Sequence, residues 1–530
     1  MRPCLWEQVP RLRELQWAHD PGRDGPLALV RGARRDARIV QVCVQLVGQI
    51  APPTSPEPAP GAPDRTDAGN VVVPAALSRA GRAGHADGVP PLPRFHTPRP
   101  ELGDLRLALL DPGSGAVGVT GGLPGVGLAG QGGIGKTVLA VELALDPDAA
   151  AFFPDGIYWV TVGEHTDPVT AQLDLLARLG APTPEVRTAR DGARALREAL
   201  ADRQCLLVVD DVWTAQAAEA FRVTGPRGRV LFTSRNPDVL AAAGARVHPV
   251  DVLTEPAARR LLADLTKVGV GDLPAAADRV LEATGRVALA VALAGAAVRG
   301  GTGWTDIAAA LDRGGDTFRG HPYANTFKAL EAATEALPTD LAEDLYGLAV
   351  YPADTTIPVA AVIRYWSRLR GNTPAGTLQD LQVMHERGLV TLHERYIGFH
   401  DLQHDYHLLQ VEDLTALHGQ LVDAYRGLLP AGQHRWFALP HDEPYIWDHL
   451  LHHLRGAGAG AGAGAEVLDT VTDPAYLATR VFLAGPYAAE TDLTTTAAIH
   501  HPDHAFWSGG GIGSRSRGDD ARLNLPRPAR

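Results

Sequence analysis

Short apolar runs alternate with amphipathic stretches through the first half of the chain. Runs of consecutive apolar residues bounded by turn residues are typical of buried strands. Such runs predict strands at 126–129, 157–162, 205–211, 229–235 and 247–250, and Pro249 favours a sheet edge for the last. Helical patterns lie between these runs. Strands that alternate with helices indicate a parallel sheet with helices on both faces, so we predict an α/β domain.

Beyond Thr254, which suits a helix N-cap, the apolar spacing becomes helical. Helices are predicted at 257–265, 275–283, 288–298, 340–351 and 378–384. Two short strands, at 388–392 and 396–400, then flank a turn. Helices followed by such a hairpin indicate a winged helix. The pattern is helical again, and rich in histidine, over 411–455, and it remains helical over 466–493.

Composition shifts set the predicted domain boundaries. A proline-rich stretch at 51–60 indicates extended chain, and a strict Gly-Ala alternation at 456–465 indicates a flexible loop. We therefore predict a poorly ordered extension, an α/β domain, a helical domain, a winged-helix domain, a helical arm domain that contains the Gly-Ala loop, and a disordered tail. Their predicted bounds are 1–90, 91–252, 253–320, 321–410, 411–495 and 496–530.

Overall composition indicates a mildly acidic globular protein. The 530 residues carry a formal net charge of −12, which argues weakly against nucleic acid as the main partner. Three widely spaced cysteines form no metal or disulfide pattern, so a reducing cytosol is the simplest expectation. No apolar run approaches the ~20 residues of a membrane span. These features predict a cytoplasmic protein with no membrane partner.

The most specific motif is Gly-Gln-Gly-Gly-Ile-Gly-Lys-Thr at 130–137, the phosphate-binding P-loop pattern. Glycines let backbone N–H groups turn toward phosphate oxygens, the lysine reaches the β- and γ-phosphates, and the threonine hydroxyl binds Mg²⁺. An apolar strand before the loop and a helix after it favour this interpretation over a chance match. The predicted nucleotide contacts are Gly130, Gly132, Gly133, Ile134, Gly135, Lys136, Thr137 and Val138.

Polar residues end two predicted strands, where ligands bind in parallel sheets. Asp210 follows four apolar residues, so it is the candidate carboxylate for Mg²⁺ beside Thr137. Asp211 is then placed to orient or deprotonate a water, and Arg235 to contact a γ-phosphate. Together with Lys136, these two form the predicted catalytic group. The alternatives are solvated carboxylates at a strand end and an arginine in an exposed loop.

His400 and Asp401 follow the second strand of the hairpin. A His-Asp pair at such a position is more often structural, with the aspartate capping the next helix. The residues alone therefore favour a cap over a nucleotide contact.

In combination, these segments resemble the NB-ARC subgroup of the STAND P-loop NTPases, which includes the apoptotic protease-activating factor and plant resistance proteins. The resemblance spans residues 90–495 and implies an α/β P-loop NTPase domain followed by a helical domain, a winged-helix domain and a second helical domain. The matching segments are 130–137 (Walker A), 206–213 (Walker B, with its paired aspartates and tryptophan), 231–235 (the sensor strand), 285–290 (the G-L-P-L-A position), 399–403 (the M-H-D position) and 98–100 (the lead-in).

The resemblance also assigns roles to single residues. It implies that Arg235 contacts the γ-phosphate, that His400 reaches the β-phosphate of bound ADP and that Arg99 lies beside the nucleotide. Val287 stands where the family has a proline that packs near adenine. The implied cofactors are therefore ADP or ATP with Mg²⁺.

The resemblance further implies a molecular switch, closed with ADP and opening to oligomerise when ATP replaces it. Slow ATP hydrolysis would reset the switch, and the partners would be further copies of the chain and other signalling proteins. The family's N-terminal effector and C-terminal sensor repeats have no counterpart in the pattern. The stretch from Trp447 resembles the helical arm of the protease-activating-factor branch.

Two other functions remain open. The first is a DNA-binding transcriptional regulator in which the NTPase gates the winged helix. Its candidate recognition helix, 375–387, carries Asp380, Glu386 and Arg387 with no cluster of positive charge, so DNA is an unlikely partner. The second is a P-loop kinase, which would need a lid with catalytic arginines that the helical segments do not resemble.

Overall fold

A computed structural model describes residues 85–500, except 111–124, 165–166, 182–185, 187, 354 and 459–460. The described chain forms two compact units that divide between Leu261 and Leu262. The predictions for residues 1–84 and 501–530 lie outside the described residues. The predicted domain boundaries within each unit remain proposals.

The first unit is built on a six-stranded sheet in which every pair of neighbouring strands is parallel. Its strands are β1 (Ala86–Asp87), β2 (Gly125–Ala129), β3 (Ile157–Thr161), β4 (Leu206–Asp210), β5 (Arg229–Ser234) and β6 (Ala245–Pro249). Their order is β1-β3-β4-β5-β2-β6, so the carboxyl ends of β2, β4 and β5 meet at one edge. The predicted α/β class is confirmed, and so is the edge position of the strand that contains Pro249.

Helices connect these strands. They are α1 (Glu101–Leu110), α2 (Lys136–Ala144), α3 (Pro147–Phe152), α4 (Pro168–Arg178), α5 (Ala189–Leu200), α6 (Ala215–Ala220) and α7 (Pro237–Ala242). A side-chain oxygen caps the first turn of several of them, because the first backbone N–H groups of a helix lack partners within it. The capping residues are Asp146, Asp167, Thr188, Thr214 and Asn236.

The core beneath the nucleotide loop is an apolar cluster of buried residues. Leu105 and Leu109 of α1 are fully buried, as their helical spacing predicts. Leu139 of α2 and Val208 of β4 belong to the same cluster. Burial of each such side chain contributes about 1.5–3 kcal/mol, so α2 is fixed firmly under the loop that precedes it.

The second unit is mainly helical, and α8 (Glu255–Thr266) crosses into it. The predicted helices near 275, 288 and 340 are confirmed. Its further helices are α9 (Ala275–Ala283), α10 (Ala288–Arg299), α11 (Trp304–Thr317), α12 (Ala324–Glu335), α13 (Thr339–Gly347), α14 (Val359–Arg370), α15 (Pro374–Glu386), α16 (Asp401–Gln410), α17 (Leu414–Arg426), α18 (Pro444–Gly456), α19 (Ala461–Val471) and α20 (Pro474–His500).

A small antiparallel sheet lies within this unit. β8 (Thr391–Leu392) and β9 (Tyr396–Gly398) form the predicted hairpin. A further strand, β7 (Ile357–Pro358), pairs with β9, and its two residues are too few for an apolar pattern to reveal. The winged-helix assignment remains a prediction.

The predicted bounds of three irregular segments (the N-terminal extension, the Gly-Ala loop and the C-terminal tail) are wrong in part. Residues 85–90 contain β1, so the ordered first unit begins before residue 91. α19 begins at Ala461 inside the predicted Gly-Ala loop, because alanine is the best helix former and offsets the glycines between. α20 continues to His500, past the predicted start of the tail, and its backbone departs from helical geometry at Gly485, which has φ +84°. None of the described helices is long and apolar enough to span a membrane.

Candidate nucleotide site

The loop between β2 and α2 has the backbone geometry of a phosphate cradle. Gly133 and Gly135 adopt φ values of 75° and 102°, which side chains rarely tolerate. A Cβ on Gly130 would lie 2.6 Å from the carbonyl oxygen of Val250, so only glycine fits there. The loop therefore brings its N–H groups together at the N-terminus of α2, where the helix dipole favours an anion.

Lys136 begins α2, and its ammonium group turns back over the loop. Its Nζ donates to the carbonyl oxygens of Gly130, at 2.8 Å, and of Gln131, at 3.0 Å. Burial, and after it the nearby positive charge of Arg235, lowers the pKa of Lys136 to about 8. A site that disfavours a cation when no anion is present is suited to an anionic ligand.

The Thr137 hydroxyl and the Asp210 carboxylate lie together at the end of β4. Thr137 Oγ1 donates to Asp210 Oδ1 at 3.0 Å, and Thr233 Oγ1 of β5 donates to the same oxygen at 2.6 Å. Burial raises the pKa of Asp210 to about 6, although both hydroxyl bonds oppose the rise. A buried carboxylate whose charge is this poorly solvated is suited to a bound cation.

Asp211, the next residue, is held in a different orientation. Its φ of 56° is unusual for a residue with a side chain, and its N–H donates to Thr233 Oγ1 at 2.9 Å. Trp213 Nε1 donates to Asp211 Oδ2 at 2.7 Å. Arg235 lies 4.7 Å from the Trp213 ring and 4.0 Å from Asp211 Oδ1. Asp211 and Arg235, two of the three predicted catalytic residues, therefore both contact Trp213.

These residues fit Mg²⁺ and a nucleotide phosphate. A hydroxyl and a carboxylate are oxygen ligands of the kind that Mg²⁺ takes, and Thr137 and Asp210 already lie within hydrogen-bond distance. Lys136 and Arg235 supply the positive charge that phosphate oxygens need. When bound, the metal ion would polarise the phosphate, and the chain's own residues would position it.

Arg99, which precedes α1, forms hydrogen bonds to the loop. Its guanidinium donates to the carbonyl oxygen of Asp251 at 2.9 Å and to that of Ile134 within the loop. Burial lowers the pKa of Arg99, and Glu101 opposes that effect. The structure thus places this predicted contact against the cradle itself.

The remaining loop residues offer a ligand mainly their backbone. Gly132 is buried, and the Ile134 side chain is 3% exposed and packs in the core under the loop. Val138 lies in the first turn of α2, directly after Thr137. Their N–H groups, rather than their side chains, are therefore the candidate ligands for phosphate.

Val287 and His400 belong to the second unit. Val287 is 1% exposed and precedes α10, directly after Gly285 and Arg286, which both have φ of 57°. His400 is the N-cap of α16: its Nδ1 accepts from the N–H of Leu402 at 3.1 Å. Their roles toward nucleotide remain predictions.

The cap interpretation of the His-Asp pair needs one change. The pattern assigns the cap to Asp401, yet His400 occupies the N-cap position and Asp401 is the first helical residue. The Asp401 carboxylate accepts from Leu402 N–H at 2.8 Å, so both side chains serve the same helix end. An imidazole can take this role because one of its neutral nitrogens is an acceptor.

The sequence pattern assigned no role to two residues that contribute to the site. Thr233 bridges Asp210 and the backbone of Asp211, and Trp213 holds Asp211 and Arg235. Trp213 follows the paired aspartates by two positions, but its hydrogen bond is not visible in an apolar pattern. Thr233 could be inferred only from the pairing of β4 with β5.

Comparison with known proteins agrees with this geometry. The family description of the NB-ARC domain matches residues 119–267. A probable disease resistance protein of Arabidopsis thaliana is 25% identical over 283 residues, which cover 50% of this chain and 32% of that protein. The Arabidopsis thaliana disease resistance protein RPP8 is 24% identical over 304 residues, covering 52% of this chain and 33% of its own length. The chain thus spans about a third of the length of these relatives.

A solved structure shares the fold. It is a signal transduction ATPase with numerous domains (STAND) that carries a tetratricopeptide repeat sensor, from Pyrococcus horikoshii. The two align with a TM-score of 0.50 and 14% sequence identity, over 81% of this chain and 59% of that one.

Proposed function

Because this chain is an NB-ARC P-loop NTPase of the STAND class, we propose that it is a switch that distinguishes ADP from ATP in signal transduction. The observation that carries the proposal is the convergence of Lys136, Thr137 and Asp210 at the carboxyl edge of the sheet. A switch needs a ligand that binds two states with different affinity. These residues would bind the phosphates and Mg²⁺ that ADP and ATP have in common.

We assign the metal to Thr137 and Asp210. In this proposal their hydrogen bond opens, and the hydroxyl and carboxylate oxygens each become a ligand of Mg²⁺. Thr233 keeps its bond to Asp210 and holds the carboxylate in place. The N–H groups of 130–138 and Lys136 bind the phosphates.

Asp211, Lys136 and Arg235 are the proposed catalytic group for slow ATP hydrolysis. Asp211 orients a water or accepts a proton from it, with Trp213 fixing the carboxylate through Nε1. Arg235 stacks on the same tryptophan, which positions its charge for a γ-phosphate. Hydrolysis would return the switch to the ADP state and need not be rapid.

His400 and Val287 are the proposed contacts from the second unit. His400 would reach the diphosphate of ADP in the closed state and lose that contact in the ATP state, while Val287 takes the place of the family's proline beside adenine. A cap residue at a helix N-terminus suits this role, since the same helix end favours an anion. The proposed open state is the one that self-associates and meets protein partners, as in the switch implied by the family resemblance.

The winged helix is proposed for the part of the second unit that contains β7, β8 and β9. DNA binding through it receives no support, because helix α15 carries acidic Asp380 and Glu386 and no lysine or arginine. Arg387, just beyond the helix, donates to the carbonyl oxygen of Ala336 at 2.9 Å.

The proposal is tested by identifying the nucleotide that the full chain retains through purification. We expect wild type to carry ADP, which chromatography of the heat-released supernatant would identify and quantify. Lys136→Ala should lose it, whereas Lys267→Ala, a change at an exposed lysine, should retain it. Equal retention by Lys136→Ala, or no adenine nucleotide bound to wild type even after incubation with millimolar ADP and Mg²⁺, would overturn the assignment.

A further inference from the structure

Three histidines of the second unit lie together, and none of them is among the residues assigned to nucleotide. His418 comes from α17, and His452 and His453 come from α18. Each offers a ring nitrogen, and these three nitrogens all lie within 4.8 Å of one another. Neighbouring rings also contact each other: the centroid of His452 lies 5.3 Å from that of His418 and 5.0 Å from that of His453.

The two buried rings already approach the spacing of ligands on one metal ion. His418 Nδ1 lies 3.0 Å from His453 Nδ1. Two nitrogens on a tetrahedral Zn²⁺, with bonds of about 2.0–2.1 Å, are separated by about 3.3 Å. A movement of a few tenths of an ångström would therefore convert a hydrogen bond between imidazoles into shared coordination.

The other nitrogen of His453 has a partner that fixes the ring. The Tyr445 hydroxyl, two turns earlier on α18, lies 2.7 Å from His453 Nε2. A histidine that binds metal through one nitrogen commonly donates its other N–H to an oxygen, which sets both the tautomer and the ring orientation. With Nε2–H donating to Tyr445, His453 Nδ1 is left as the lone-pair donor toward His418.

The surroundings keep these rings in the form that metals bind. Burial lowers the pKa of His418 to about 4 and that of His453 well below its ordinary range, so both are neutral at physiological pH. Gly456 makes room for His418, since a Cβ at that position would lie 2.3 Å from the imidazole Cδ2. His452 is exposed, which gives an ion a path from solvent.

One nearby charge opposes a cation. Arg455 lies two residues beyond His453, but its guanidinium donates to the Thr496 hydroxyl at 2.9 Å and Asp492 lies close enough to act on its charge. Its charge is thus partly balanced by a carboxylate on α20.

We propose that His418, His452 and His453 bind one divalent transition metal ion of the Zn²⁺ class, with water at the fourth position. Neutral imidazole nitrogens suit Zn²⁺, Ni²⁺ and Cu²⁺, whereas Mg²⁺ and Ca²⁺ take oxygen ligands. The ion would cross-link α17 and α18, and none of its three ligands is a residue assigned to the nucleotide. It makes this helical pair a metal-dependent element of the arm.

The test uses the full chain without a histidine tag, stripped with a chelator and dialysed against Zn²⁺ in the presence of excess Mg²⁺ to occupy oxygen sites. Bound zinc is measured by elemental analysis across a concentration series. The variant is His452→Gln, because that side chain is exposed and its loss leaves the core packed. The matched control is His393→Gln, an exposed histidine in the turn between β8 and β9. Zinc bound elsewhere on the chain is common to all three proteins and cancels in the comparison.

We expect wild type and His393→Gln to bind one more zinc ion than His452→Gln, or His452→Gln to bind that ion at least about 100-fold more weakly. The reason is that loss of a residue that only hydrogen-bonds to a metal ligand already weakens metal affinity by about 10–100-fold. Co²⁺ added to stripped wild type should give the intense visible bands of tetrahedral coordination, and these should be weaker with His452→Gln. Equal zinc binding by all three proteins would overturn the proposal. So would a Co²⁺ spectrum of wild type that matches the octahedral aqueous ion, a result that does not depend on any variant folding.

Discussion

Replacing Asp210 by asparagine should stabilise the nucleotide-free protein while removing its affinity for Mg²⁺. Asp210 is 6% exposed, and its carboxylate accepts hydrogen bonds from Thr137 and Thr233. Asparagine keeps an oxygen for both hydroxyls and carries no charge. The change therefore separates the cost of burying a charge from the geometry that holds the side chain.

The magnitude follows from the pKa of Asp210, which burial raises from 3.8 to about 6. A difference of this size corresponds to about 3 kcal/mol at pH 7.5, because each pKa unit is worth about 1.4 kcal/mol. Leaving the new amide N–H₂ without an acceptor costs about 1–3 kcal/mol in return. The expected net gain is about 1 kcal/mol, or a rise in melting temperature of about 2–4 °C.

The pH dependence gives a sharper result than the gain itself. Because the pKa of Asp210 is higher in the folded state than in the unfolded state, its charge destabilises the fold fully above about pH 6. Most of that destabilisation falls away between about pH 6 and pH 4, where the carboxyl is protonated in the folded state and still largely ionised in the unfolded state. The stability of Asp210→Asn relative to wild type should therefore fall by about 2.5 kcal/mol from pH 7.5 to pH 4, which changes a gain of about 1 kcal/mol into a loss of similar size.

Thermal melts of both proteins, stripped of nucleotide and metal and followed by tryptophan fluorescence, measure this difference at each pH. Calorimetric titration of nucleotide with and without Mg²⁺ measures the functional loss. Asp210→Asn should bind nucleotide equally in both conditions, while wild type binds more tightly with Mg²⁺. A stability difference that stays constant between pH 7.5 and pH 4 would refute the reasoning about burial, and an undiminished Mg²⁺ effect would refute the metal assignment.

Three further changes test other parts of the account. Gly130→Ala places a Cβ 2.6 Å from a carbonyl oxygen, so it should weaken nucleotide binding more than 10-fold, as measured by calorimetry. Its control is Gly103→Ala, whose Cβ would contact nothing; this variant should keep the affinity and raise stability by up to about 1 kcal/mol. Trp213→Phe removes the bond to Asp211 and should slow phosphate release about 10- to 100-fold with nucleotide affinity within about threefold. Burial lowers the pKa of His407 to about 3, so this residue destabilises the fold as the pH falls below about 6.5. In melting experiments, the stability of His407→Leu relative to wild type should therefore rise by about 2 kcal/mol between pH 7.5 and pH 5.

The nucleotide loop could be predicted because its chemistry is local. Residues 130–137 span the loop after β2 and the start of α2, and the glycines, Lys136 and Thr137 all lie within this short segment. The pairing of Thr137 with Asp210 was also predictable, since a P-loop requires a carboxylate at a neighbouring strand end. The role of Thr233 depends on which strand lies beside β4, and that order is set by packing of the whole sheet.

The helical unit was harder to predict from sequence. Alanine and glycine in alternation are typical of a flexible loop, yet part of that stretch is α19, whose Val467 and Val471 are buried by neighbouring helices. Likewise, the histidines over 411–455 are visible as a composition. Only the packing of α17 against α18 shows that His418 meets His453.

The central claim is that one nucleotide is held by the cradle and by His400, so the most direct measurement is the ratio of ADP to ATP affinity with Mg²⁺. His400→Asn is the appropriate variant, because asparagine keeps the cap of α16 and removes the imidazole. His393→Asn is its control.

We predict that wild type and His393→Asn prefer ADP. His400→Asn should weaken ADP binding about 10- to 100-fold, because a hydrogen bond to a charged group contributes about 1.5–3 kcal/mol, while its ATP affinity should change less than about threefold. An unchanged ratio, or equal weakening of both nucleotides, would contradict the proposed switch.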